Sequence, residues 1–116
     1  ERGNAEFKYP DAWADINFWG NELTLHATDP NKKHVNERHN VDMGNVTVPH
    51  FGVHLDGTTF KNLKKRLFEK KIKFIDPPYI RFKGEDIEQE TMFLADPNGN
   101  CMEIKTMKNP NTLFKK

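Results

Sequence analysis

The chain has 116 residues, enough for one domain with a modest core and too few for two; at 35% hydrophobic and 11% aromatic, with nine Phe and two Trp, it is excluded from the wholly disordered class. Eighteen Lys and Arg balance 17 Asp and Glu along the chain, so no global field favours nucleic acid or an anionic membrane, and a small-molecule partner is expected. A single cysteine excludes a disulfide framework and a cysteine-based zinc finger, and with no membrane-length apolar run and no signal-peptide pattern it predicts a cytoplasmic protein.

Residues 1–10 show no lasting period and read as a loop or frayed edge. Residues 13–18 alternate, with Ala14, Ile16 and Phe18 against Trp13, Asp15 and Asn17. Residues 22–28 alternate again, with Leu23, Leu25 and Ala27 against Glu22, Thr24 and His26. The two predict an antiparallel hairpin around Gly20-Asn21. Residues 29–47 carry Pro, Asn, Gly and charge reversals, and predict a long loop. Its His34 and His39 sit among Lys, Asn and Arg and read as solvated.

Residues 48–56, VPHFGVHLD, form a strand with two characters: His50, Gly52 and His54 share one face, and Phe51, Val53 and Leu55 the other. The next stretch, 57–70, is a helix with Thr58 or Thr59 as cap, apolar Phe60, Leu63, Leu67 and Phe68, and cationic Lys61, Lys64, Lys65 and Arg66 on the opposite face. No aromatic residues interleave with those charges, so the basic face reads as solvated surface. A short strand over 72–75 ends at Asp76-Pro77-Pro78, residues 79–82 resume extended chain, and 91–95 read as a buried strand. Asp96-Pro97-Asn98-Gly99-Asn100 predicts a tight two-residue hairpin turn. The strand it opens, 101–107, points Met102 and Ile104 one way and Cys101, Glu103 and Lys105 the other. The tail, 108–116, is expected to be loosely held, and no internal repeat is evident.

One strand thus offers an imidazole and another a carboxylate, each on the face opposite its packing face. These are the ligand types of a mixed His/Glu metal site. His54 stands about 6.6 Å along the strand from His50, which suits a pocket residue better than a co-ligand. Cys101 has no base nearby and reads as a small semi-buried residue.

The histidine opening VPHFGVHLD, the helix after it, and the closing FLADPNGNCMEIK closely resemble the vicinal oxygen chelate superfamily of glyoxalases, bleomycin and fosfomycin resistance proteins and extradiol dioxygenases. The likeness runs from Trp13 to Glu103. It implies an α+β fold of two βαβββ modules forming a curved mixed sheet around a divalent metal (Fe, Mn, Zn or Ni), with the first module lacking its opening strand and helix in these residues. It also implies a single glyoxalase/dioxygenase-like domain over 1–116: a partial first module and loop at 1–47, the second module at 48–107 and the tail at 108–116. By position His50 and Glu103 match family metal ligands, and His26, beside Thr24 on the last strand of the first module, is a further metal candidate. Tyr79 and Arg81 fall near the cavity rim as catalytic candidates, Tyr79 donating to a developing oxyanion and Arg81 holding a carboxylate or phosphate. The resemblance implies a metal-dependent enzyme that chelates two oxygens of a small substrate, working as a homodimer. The alternative is a metal-free drug-binding protein of the bleomycin-resistance type, with Trp13, Trp19, Phe18 and Phe93 lining a strongly acidic cleft.

Overall fold

The computed structural model describes residues 5–9, 13–27, 31, 37–41 and 44–114. They belong to two compact units, Glu1–Lys33 and His34–Lys116.

The first unit is a three-stranded antiparallel sheet in the order β1 (Ala5–Tyr9), β2 (Trp13–Phe18), β3 (Asn21–His26). β1 corrects the loop expected over residues 1–10. Its alternation of Ala5, Phe7 and Tyr9 with Glu6 and Lys8 is too short to stand out alone, and pairing with β2 defines it. The β2–β3 hairpin is as expected, paired without interruption from Phe18↔Asn21 to Trp13↔His26. Its turn is Trp19-Gly20 rather than Gly20-Asn21. Both residues have positive φ, 49° and 87°, as a primed two-residue turn requires, and Asn17 Oδ1 accepts from the Gly20 N–H at 2.7 Å.

In the second unit, the long loop expected over 29–47 is corrected by a hairpin of β4 (Glu37–Val41) and β5 (Gly44–Val48). Glu37, Arg38, His39 and Asn40 are all exposed, so no apolar alternation marked β4. Arg38 ties the hairpin down: its guanidinium donates to the Asn45 carbonyl and Thr47 Oγ1 and pairs with Asp76 at 2.9 Å. His34 lies outside the described residues.

The remainder is a complete βαβββ module: β6 (Phe51–His54), α1 (Gly57–Glu69), β7 (Asp76–Arg81), β8 (Gln89–Ala95) and β9 (Cys101–Met107). The sheet order is β6-β9-β8-β7, with β6 parallel to β9 and the other pairs antiparallel. The α+β class and this module are as the resemblance implied. α1 is the one α-helix among the described residues, and its cap is Asp56 rather than Thr58 or Thr59. The Asp56 carboxylate accepts from both the N–H and the hydroxyl of Thr59 at 2.8 Å. Phe60, 1% exposed, and Leu63 bury the helix, and Lys64 pairs with Glu90 of β8 at 2.7 Å. Phe68, expected on the packing face, is 55% exposed and rests against Phe74.

Three further expectations are corrected. Residues 72–75 form no strand; β7 starts at Asp76 and runs through Pro77-Pro78, which read as a stop. β7 is an edge strand, so prolines without N–H groups sacrifice no ladder bond, and the register shift between Asp76 and Tyr79 absorbs them. The β8–β9 connection is longer than two residues: Asp96 N–H donates to the Asn100 carbonyl, the Asp96 carboxylate accepts from the N–H groups of Asn98 and Asn100, and Gly99 takes φ 88°. The tail is anchored, with Lys108 N–H donating to the Glu88 carbonyl and Thr112 buried in a 3-10 turn at Pro110–Thr112. Among the described residues no helix is long and apolar enough to cross a membrane.

Candidate metal centre

Sheet register gathers the second unit's candidates on one face. β6 and β9 pair Gly52 with Glu103 and His54 with Lys105; β9 and β8 pair Glu103 with Phe93, Lys105 with Thr91 and Met107 with Gln89; β8 and β7 pair Thr91 with Tyr79 and Gln89 with Arg81. Since paired residues in a sheet share a face, one rung runs Tyr79, Thr91, Lys105, His54 across four strands, and its neighbour runs Phe93, Glu103, Gly52. α1 lies over the other face, beside Glu90. Gly52 is fixed by geometry: any Cβ there would overlap the backbone carbonyl of Glu103, so only glycine lets β6 approach β9 this closely.

His50 precedes β6, and its ring is oriented from two sides. Nδ1 donates to the Thr47 carbonyl at 2.7 Å, and the ring meets Phe93 edge-on with centroids 5.1 Å apart. A carbonyl only accepts, so the proton resides on Nδ1 and Nε2 is turned to Glu103 Oε1, 3.3 Å away. The carboxylate is oriented in the same way: the hydroxyl of Thr91, a residue with 0% exposure, donates to Oε2 at 2.6 Å and leaves Oε1 for the histidine. Two lone pairs facing each other need positive charge, either a second proton on the imidazole or a cation held between them.

The separation is compatible with the second. Charge-assisted N–H···O contacts close to about 2.7–2.9 Å. Donor atoms held about 2.1 Å from one ion at 90–109° lie about 3.0–3.4 Å apart. The pair at 3.3 Å fits a shared cation, and its supports, a backbone carbonyl on the imidazole and a hydroxyl on the carboxylate, are the kind that orient metal ligands. Among the described residues no group of three His, Cys, Asp or Glu side chains converges as a metal site; His50 and Glu103 are the two candidate ligands that this unit brings together.

Beside the pair opens a cleft of about 290 Å³, lined by residues 50–54 of the β6 segment together with Glu103 and Lys105. His54 faces it, with Nε2 accepting from the Met107 N–H at 3.2 Å. Burial, and then the Lys105 charge, lower the pKa of His54 below 6.5. Tyr79 and Arg81 share the sheet face without lining the cleft. Tyr79 packs on the Val46, Phe93 and Cys101 cluster, and burial, followed by the Asp76 and Glu103 charges, pushes its phenol upward, so it stays a protonated donor. Arg81 lies two rungs from Glu103 and stacks 4.8 Å over the Phe82 ring. Cys101 is fully buried rather than semi-buried, and burial raises its thiol, so it is no nucleophile. His26 ends β3 in the first unit, exposed and paired with Trp13. His39 is exposed beside Glu37. Sequence reasoning missed Thr91, Lys105 and the Thr47 carbonyl as site groups; only the alternation shared by Glu103 and Lys105 hinted at the second.

Comparison with known proteins supports the fold. No protein-family model and no curated relative matches the sequence. A solved glyoxalase/bleomycin resistance protein/dioxygenase from Alicyclobacillus acidocaldarius superposes with TM-score 0.74 at 27% identity, covering 97% of this chain and 78% of its own. The fosfomycin resistance protein FosX from Listeria monocytogenes superposes with TM-score 0.54 at 9% identity, covering 91% and 71%, a likeness of fold alone. With its βαβββ module and these neighbours, the chain carries the fold and the family resemblance of the vicinal oxygen chelate superfamily.

Proposed function

We propose that this protein is a metal-dependent, glyoxalase/dioxygenase-like enzyme that chelates two oxygens of a small substrate on a divalent ion, Fe, Mn, Zn or Ni. The observation that carries this is the approach of His50 Nε2 to Glu103 Oε1 at ligand-pair spacing, with the other donor atom of each already engaged. The Alicyclobacillus neighbour's description names glyoxalase and dioxygenase together with bleomycin resistance protein, so it is compatible with this reading and with the alternative alike.

A divalent ion bound there supplies Lewis-acid polarisation of substrate oxygens. The chain's own residues do the rest. His50 and Glu103 hold the ion, Thr47 and Thr91 fix their orientation, and the cleft seats the substrate. His26, exposed at the end of β3, is the further metal candidate, and its own substitution tests it. Tyr79, a protonated phenol, and Arg81, a fixed cation, stand on the same sheet face as the cleft and act at its rim. We propose a homodimer as the working form.

The alternative, a metal-free binder of cationic drugs, requires a strongly acidic aromatic cleft. The cleft lining holds one carboxylate against one ammonium and two imidazoles. Phe93, a candidate wall of such a cleft, is 2% exposed and packed under His50. The charge of the lining favours the metal reading.

The test is elemental analysis after reconstitution with each of the four metals. Near one equivalent bound by wild type, and lost in both His50→Ala and Glu103→Ala, is the expected result. Wild type that retains none of the four overturns the reading and returns the drug-binding alternative.

A further inference from the structure

The cleft has a second rung that the metal pair does not use. His54 and Lys105 are register partners on β6 and β9, two residues beyond Gly52 and Glu103, so their Cα atoms stand about 6.6 Å from those of the metal rung. Both line the cleft. Lys105 carries three N–H donors, and one donates to Gln89 Oε1 at 3.3 Å. No carboxylate among the described residues pairs with it, although Lys64 and Arg38 both have such partners. A lysine half-buried at the floor of a cleft without a counter-ion is a charge awaiting one. The His54 ring is also fixed: because Met107 N–H donates to Nε2, the ring proton is on Nδ1 and the imidazole is a neutral donor.

We propose that Lys105 and His54 form an anion subsite, so that the substrate is a small anion whose carboxylate, phosphate or phosphonate lies one rung beyond the oxygens that the metal pair engages. This rests on the metal reading for the substrate's other end, and on the cleft alone for the subsite itself. The ammonium supplies the charge and the imidazole a directed donor. Glu103 makes no ion pair with Lys105, since its two carboxylate oxygens are turned to His50 and Thr91. A neutral chelator of the same length would leave Lys105 uncompensated, so the subsite selects by charge rather than by shape.

Two titrations separate this claim from the metal reading. In the first, inorganic phosphate is titrated into the metal-free full chain while the Lys105 side-chain carbons and the His54 ring nitrogens are followed by NMR. Saturable shifts at both residues are expected. Phosphate affinity should fall about tenfold in Lys105→Met and return in Lys105→Arg, while Lys61→Met on the exposed helix face leaves it unchanged. Absence of saturable shifts, or undiminished affinity in Lys105→Met, overturns the subsite. In the second, malate and lactate are titrated into Mn(II)-loaded protein; both carry a 2-hydroxy acid end, and only malate has a second carboxylate. Malate should bind at least about fivefold tighter in wild type and equally in Lys105→Met. Equal affinities in wild type overturn the subsite. Wild type that binds no Mn(II) counts against the metal reading alone, since the phosphate titration needs no metal.

Discussion

The hairpins β2–β3 and β8–β9 carry one short pattern and use it differently. Gly20-Asn21-Glu22-Leu23-Thr24-Leu25 and Gly99-Asn100-Cys101-Met102-Glu103-Ile104 align residue for residue, and their glycines take φ 87° and 88°. In the first hairpin the fifth position is Thr24, whose hydroxyl donates to Asp15 on the facing strand at 2.8 Å. In the second it is Glu103, which accepts from Thr91 on the facing strand at 2.6 Å and turns its other oxygen to His50. Hydroxyl and carboxylate have exchanged strands. The comparison shows that the hairpin builds a position, and that the carboxylate placed there in β9 faces a histidine, as the proposed metal pair requires. The same alignment gives His26 the place of Lys105, and Thr24 the place of Glu103.

The largest effect should come from Gly52→Ala. The added Cβ overlaps the Glu103 carbonyl, so β6 must draw away from β9; a loss of about 2–3 kcal/mol in urea unfolding is expected, together with loss of metal binding. Gly57→Ala, where nothing lies within 4 Å, should change stability by less than about 0.5 kcal/mol. Wild-type stability in Gly52→Ala would break the claim that close strand approach builds the site.

Next in size are the two threonines. Thr91→Val removes the donor that orients Glu103, so metal affinity measured by calorimetry should fall about 10–100-fold and recover in Thr91→Ser. Thr24→Val should cost about 1 kcal/mol and leave metal affinity within about threefold. Equal effects on metal would erase the distinction between the hairpins.

His54 gives a smaller, pH-dependent effect. Its folded pKa is lowered from 6.5 by burial and then by Lys105, so below 6.5 the unfolded chain takes up a proton that the folded chain resists. Its contribution is therefore unfavourable at low pH: stability falls as pH drops through 6.5 toward the lowered folded value, and is unaffected above. Urea midpoints from pH 7.5 to 5 should decline less in His54→Gln than in wild type. The smallest effect is expected from His26→Ala, less than about threefold on metal affinity. A loss as large as that of His50→Ala would make His26 a third ligand and break the hairpin correspondence.

Much of this was legible in the chain because apolar residues mark the strands under the site. Thr91 to Ala95 is a near-continuous apolar run with Thr91, Met92, Phe93 and Leu94 all buried, and Cys101 to Met107 sets Met102 and Ile104 between polar residues. β4 was not legible because an exposed polar strand held by Arg38 has no apolar period, and β7 was not because Pro77-Pro78 is forbidden only inside a sheet. His50 and Glu103 could be named as a pair from ligand type and resemblance. Thr91 could not, since its role comes from a diagonal contact across β8 and β9 that depends on register. The hairpin pattern was hidden for a similar reason: Gly20 and Gly99 match in backbone conformation, while their loops differ in length.

The most direct test of the metal pair is electron spin echo modulation of the Mn(II)-loaded protein, which reads nitrogen bound to the ion. The geometry predicts a directly bound imidazole nitrogen that vanishes in His50→Ala and persists in His54→Gln. Modulation that is absent from wild type, or that survives in His50→Ala, would contradict the assignment of His50 and Glu103 as the metal-binding pair.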